Sequence, residues 1–68
     1  MEQVKIINLN NKYNIEVRSN SLTQLYSLID VSSDREMCSS FNVYSFINKA
    51  KQYTRISKQL EQQLIKGV

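Results

Sequence analysis

The side chains with most chemistry to offer are Lys51, Arg55, Lys58 and Lys66, in the last third of a 68-residue chain. On one continuous helix, at about 100° per residue, these four cations fall within an arc of roughly 80°. Gln62 sits inside that arc and Tyr44 projects from the same side. Two chemistries suit such a stripe. Lysine and arginine neutralise phosphates, glutamine reaches base edges and tyrosine stacks on an unpaired base. The same groups meet an acidic protein surface equally well, and tyrosine and arginine are frequent energetic anchors there. A third reading, an ordinary solvated helix face, needs no partner at all.

Charge is unevenly placed. Residues 1–48 hold four basic and five acidic groups, whereas residues 49–68 hold five basic groups against Glu61 alone, within a net charge of +3. The positive potential belongs to the C-terminal end, which suits an anionic partner. Phe46 to Leu64 has the length of a helix-turn-helix, with Ala50 and Leu60 at suitable places. The details do not fit: Thr54 stands where the turn favours glycine, and Arg55 where an apolar residue is wanted. So few cations are also a weak electrostatic footprint for nucleic acid.

Catalysis finds little support. There is no histidine, the usual group for moving protons near neutral pH. Cys38 is the single thiol; free cysteine is more often a small buried hydrophobe than a nucleophile. Asp30, Asp34 and Glu36 lack the alternating ligands and glycine of a calcium loop, and read as helix caps. Gly67 is the only glycine, so no phosphate-cradling loop exists. The expectation is a non-enzyme with no cofactor and no metal.

A chain this short forms one domain and buries only about 60% of its unfolded surface. One cysteine cannot form an internal disulfide, and zinc would need more ligands. Self-association as a homodimer, or docking on a larger partner, is the expected source of further burial. The unpaired thiol, and the lack of a charged-then-apolar leader, suggest a cytoplasmic protein. Apolar runs are pairs such as Ile6-Ile7, far below the roughly 20 residues of a membrane span. Membrane-surface binding ranks last, the polar face being weakly basic and tryptophan absent. Abundant Asn, Ile, Lys and Ser with no Pro, His or Trp is the bias of AT-rich coding sequence, as in phages and mobile elements.

Pattern defines the framework that holds these groups. Val4–Leu9 and Lys12–Val17 alternate around Asn10-Asn11, which predicts a hairpin with a type I′ turn. That register sets Val4 opposite Val17, Ile6 opposite Ile15 and Asn8 opposite Tyr13, and pairs Lys5 with Glu16 on the outer face. Ile7 and Leu9 on that outer face, and both hairpin edges, are then candidate contacts. Ser21 and Gln24 have capping-box spacing before Leu22, Leu25, Leu28 and Ile29, which predicts a helix over 22–30. Ser33-Asp34-Arg35-Glu36 repeats the box and predicts a short helix over 34–40. From 42 to 66 the pattern is helical until Gly67, a natural cap. Its apolar seam of Phe46, Tyr53, Leu60 and Leu64 suits a dimer or an apolar partner. A break near Tyr53, with Thr54 capping a second helix and Ile56, Leu60 and Leu64 facing inward, is the close alternative.

The expected architecture is therefore α+β: an N-terminal β-hairpin, two short helices and a long C-terminal amphipathic helix. The expected function is that of a small protein-binding adaptor or inhibitor that occupies an acidic surface of a larger protein. Tyr44, Lys51, Arg55, Lys58, Gln62 and Lys66 would form its contact face. A small nucleic-acid-binding transcriptional regulator using the same face is the alternative.

Overall fold

Asn10, Asn20 and Asp30 punctuate the first half of the chain at ten-residue intervals, and each builds a turn. In the computed structural model, which describes residues 2–67, Asn10 Oδ1 accepts from the N–H groups of Lys12 and Tyr13 at 2.8 and 2.9 Å. Asn20 Oδ1 accepts from those of Leu22 and Thr23, both at 2.8 Å. Asp30 Oδ1 does the same for Ser32 and Ser33 at 2.9 and 3.4 Å. Between the turns lie four strands: β1 (Gln3–Asn8), β2 (Tyr13–Ser19), β3 (Gln24–Asp30) and β4 (Arg35–Ser40). They form one antiparallel meander in the order β1-β2-β3-β4. Two helices follow among the described residues, α1 (Val43–Ala50) and α2 (Lys58–Ile65).

The α+β class holds in its broad sense, but three elements differ from expectation. Residues 22–30 and 34–40 are not helices; they form β3 and β4. Their Ser, Asn and Asp residues do satisfy backbone N–H groups, but at hairpin turns, where the same local hydrogen bonds occur. β3 is a central strand used on both faces. Tyr26 and Leu28 point to the core, and Leu25 and Ile29 to the other side. That two-sided demand scatters apolar residues in a way that mimics helical spacing.

The first hairpin is real but slipped by one residue. Ile7 pairs with Ile15 and Lys5 with Val17, while Ile6 meets Glu16 and Val4 meets Arg18. The loop is longer than a two-residue turn: Leu9 and Asn10 both donate N–H to the Tyr13 carbonyl, at 3.1 and 3.2 Å. Neither Asn10 nor Asn11 takes a positive φ; among the described non-glycine residues only Asp34 does, at 56°. A one-residue slip turns every side chain of β1 over. Ile7 and Leu9 therefore pack against the core, and Val4 and Ile6 are exposed in their place. Only one of the two hairpin edges stays open, because β3 occupies that of β2.

The segment 42–66 is two helices, not one. Asn42 caps α1, its Oδ1 accepting from Tyr44 N–H at 2.9 Å and Ser45 N–H at 3.0 Å. Val43, Phe46, Ile47 and Ala50 then recur at helical spacing, and α1 ends at Lys51. The chain turns near Tyr53, but Ser57 rather than Thr54 caps α2, accepting from Leu60 N–H at 3.1 Å. Length explains the break. A 25-residue helix is about 37 Å long, whereas strands of six or seven residues span roughly 20 Å. One straight helix would carry Leu60 and Leu64 off the end of the sheet. Folding back gives up a few helical hydrogen bonds but buries Ile56 and Leu64. Gly67, with φ 85°, closes α2 as expected.

Both helices cover the same face of the sheet. Tyr13, Ile15, Val17, Tyr26 and Leu28 meet Phe46, Ile47, Ala50, Ile56 and Leu64 in one core. The Tyr26 and Phe46 rings stack with centroids 5.8 Å apart. Between Leu28↔Cys38 and Ile29↔Glu36 the register shifts, leaving Met37 as an extra residue on β4. Such a bulge lets Met37 and Cys38 both pack against the core.

Candidate interaction surface on the helical layer

Breaking the helix scatters part of the cationic stripe and keeps the rest. Lys58, Gln62 and Lys66, four residues apart, remain exposed on one side of α2. Gln59 and Gln63 extend that side. Arg55 lies in the connection between the helices, exposed. Tyr44 stands apart in the first turn of α1, 60% exposed.

Lys51 plays a different part. Its Nζ lies 3.1 Å from Glu61 Oε2, so it joins the end of α1 to α2. Glu61 is the single acid of the last 20 residues, and this pairing turns its charge toward Lys51. The neighbouring Lys49 donates from Nζ to the Ser39 carbonyl at 3.3 Å, holding α1 to β4.

The apolar half of the expected contact set divides. Phe46 and Leu64 are fully buried, so they are core and offer no dimer seam. Tyr53 is 45% exposed. Leu9 and Leu60 are half-buried and meet at a cleft of about 560 Å³, lined also by Asn10, Arg55, Ile56 and Ser57. Asn10 fixes this cleft: its Nδ2 donates to Thr54 Oγ1 at 3.0 Å, tying the β1–β2 turn to the α1–α2 connection. Leu9, Ile56 and Leu60 make an apolar wall, and Arg55 supplies charge at its side. Leu9 is far in sequence from Arg55 and Leu60, and the chain reversal at 51–57 brings them together.

Two exposed apolar residues carried no sequence signal as contacts. Leu22, 91% exposed, sits at the tip of the β2–β3 turn, and Phe41, 66% exposed, sits in the connection from β4 to α1. Both lie at the opposite end of the sheet from the cleft, as the up-and-down strand order requires.

Burial pushes the Cys38 thiol up from its ordinary value, outweighing the opposing pull of Lys49, so the thiol stays protonated at neutral pH. Cys38 lies within β4 and not at a helix start, where a thiol would be activated. Asp30, Asp34 and Glu36 serve a turn, a left-handed residue and a strand respectively. Among the described residues no cluster of three or more Asp, Glu, Cys or His side chains is placed to hold a metal ion. No helix among them is long and apolar enough to cross a membrane. Comparison with known proteins found no matching family model, no similar curated protein and no similar solved structure.

Proposed function

We propose that this chain is a non-catalytic binding module that occupies a surface of a larger protein through the cleft between the β1–β2 turn and the α1–α2 connection. The observation that carries this reading is the wall of Leu9, Ile56 and Leu60 beside Arg55, with Lys58 exposed close by in the first turn of α2. An apolar side chain of the partner fills the cleft, and a neighbouring carboxylate meets Arg55 and Lys58. Such a pairing of apolar anchor and rim charge is the usual anatomy of a protein contact. Arg55 and Lys58 set orientation and association rate, and Gln62 and Lys66 extend the contact along α2.

The test is capture from native-host lysate with a photo-crosslinking residue at Gln59. An Arg55→Glu/Lys58→Glu variant with unchanged circular dichroism should lose the crosslinked protein. Undiminished capture would refute the assigned face. Lys51 is the wrong residue to reverse, because a glutamate there would repel Glu61 and loosen the helical layer.

A second reading, nucleic-acid binding, draws on α2 alone, where Lys58 and Lys66 bracket Gln59, Gln62 and Gln63. Glutamine reads adenine in the major groove and flanking lysines contact phosphates. Titration of duplex DNA against salt separates the two readings. Phosphate contacts make affinity fall steeply with ionic strength, and no binding at low salt would dispose of this second reading.

A further inference from the structure

We propose that the uncovered face of the sheet is an isologous contact between two copies of this chain. The helices cover one face only, and the register defines what the other presents. One row runs Val4, Arg18, Leu25 and the next runs Ile6, Glu16, Ser27, Ser39. A third holds Asn8, Asn14, Ile29 and Glu36. A solvated sheet face is normally polar. Here β1 and β3 contribute aliphatic side chains, with Val4 50% and Ile6 67% exposed. β2, between them, carries Glu16 and Arg18, whose Oε1 and Nε lie 2.6 Å apart.

This pattern is complementary to itself. A two-fold axis lying in the contact plane, across the strands and between the first two rows, superposes each row on the other. Arg18 then faces Glu16 of the second copy, and Glu16 its Arg18. Val4 faces Ile6, and Leu25 faces the small, buried Ser27, beside which a shallow cleft of about 270 Å³ gives it room. The acidic Asp34 and Glu36 help to line that cleft. Val4 and Ile6 of the two copies meet and unlike charges meet, which an unrelated partner would have no reason to match. Sheets pack in this way about 10 Å apart.

The face is small, about 20 Å along the strands and four strands spaced roughly 4.8 Å wide. That is about 400 Å² per copy, below the roughly 1,200 Å² total of a standard interface, so the dimer should be weak and transient, with a dissociation constant on the order of 10–100 µM. Both helical layers point outward, so the dimer offers two copies of the cleft. The contact is independent of whatever that cleft binds.

Sedimentation equilibrium on the full chain from about 10 µM to about 1 mM spans that range. Wild type should pass from monomer to dimer. Arg18→Glu and Glu16→Arg should each weaken association at least tenfold, because each variant then presents like charges to itself. An equimolar mixture of the two should dimerise again, because each presents the opposite charges to the other. Ile6→Lys, at an exposed position, should be a folded monomer and guards against charge variants that fail to fold. A wild type that stays monomeric to 1 mM would overturn the proposal, as would a mixture that fails to recover. A dimer indifferent to both charge reversals would place the contact elsewhere, as at the free edge of β1 or β4, and overturn it equally.

Discussion

The turns of the sheet and the start of α1 use one piece of chemistry for opposite ends. Asn10, Asn20 and Asp30 each accept from the N–H groups two and three residues on, and so does Asn42. After the first three the chain doubles back as a strand; after Asn42 it enters a helix. The capping side chain marks where a segment begins and leaves its type open. The type is decided by the period of the apolar residues and by the surface they must cover. After Asn42, Val43, Phe46, Ile47 and Ala50 make one stripe against one face. After Asn20, Leu25 and Ile29 face one way while Tyr26 and Leu28 face the other.

If the two halves share one core, removing its central helix side chain should unfold both. Phe46 is fully buried and stacks on Tyr26, so Phe46→Ala should cost about 3–5 kcal/mol. Urea titration followed by circular dichroism and by tyrosine fluorescence should give coincident transitions at a lower midpoint. A sheet signal that outlasts the helical one would show that sheet and helices are separable units.

Replacing Asn42 by alanine removes the acceptor for Tyr44 and Ser45 N–H and should cost about 1 kcal/mol, with glycine costing only a few tenths. Hydrogen exchange should accelerate first in α1. The matching Asn20→Ala should accelerate exchange at the β2–β3 turn instead. Equal effects at both places from either variant would show that the capping bonds do not act locally.

The parts legible in sequence are those with a single demand upon them. The first hairpin, the capped stop at Gly67 and the basic C-terminal end were readable because turn residues, period and charge each pointed one way. Register was not readable, because β1 offers two equivalent sets: Val4 with Ile6, or Ile7 with Leu9. The turn chose between them, with Asn10 making a longer loop than the Asn-Asn pair suggests. The break at 51–57 was legible only as an alternative near Tyr53, because choosing it depends on the length of the strands β1–β4, which no local pattern in 42–66 contains. That same break assembles Leu9, Arg55 and Leu60 into the candidate cleft, so the site was legible as residue types and not as a place.

The β3–β4 turn differs from its two neighbours in carrying a left-handed residue, Asp34 at φ 56°. A side chain there is strained, though aspartate tolerates it better than most. Asp34→Gly should therefore raise stability by a few tenths of a kcal/mol, the gain being limited by the greater freedom of glycine in the unfolded chain. Asp34→Val should destabilise by more, since a branched side chain resists that conformation. Denaturation midpoints order the three proteins, and a stabilised valine variant would contradict the assigned backbone.

The smallest expected effect separates Asp30 from Asn10 and Asn20, because of the three turn acceptors only Asp30 ionises. The Ser32 hydroxyl at 2.7 Å, with the Ser32 and Ser33 N–H groups, lowers its carboxyl below the ordinary value of 3.8. A lowered folded pKa favours the charged form in the native state. Its contribution is thus fully present above the unfolded value and fades as pH falls below about 4. Acid should loosen the β3–β4 turn while the Asn10 and Asn20 turns, being neutral, hold. Carbon-detected NMR of the Asp30 carboxyl, with amide shifts of Ser32 and Ser33, should report one common lowered midpoint. In Asp30→Asn the acceptor oxygen remains and the titration does not, so the Ser32 and Ser33 shifts should become flat with pH. If they still moved together in that variant, Asp30 would not be the group that titrates at this turn, and the contrast between Asp30 and its two asparagine counterparts would not rest on charge.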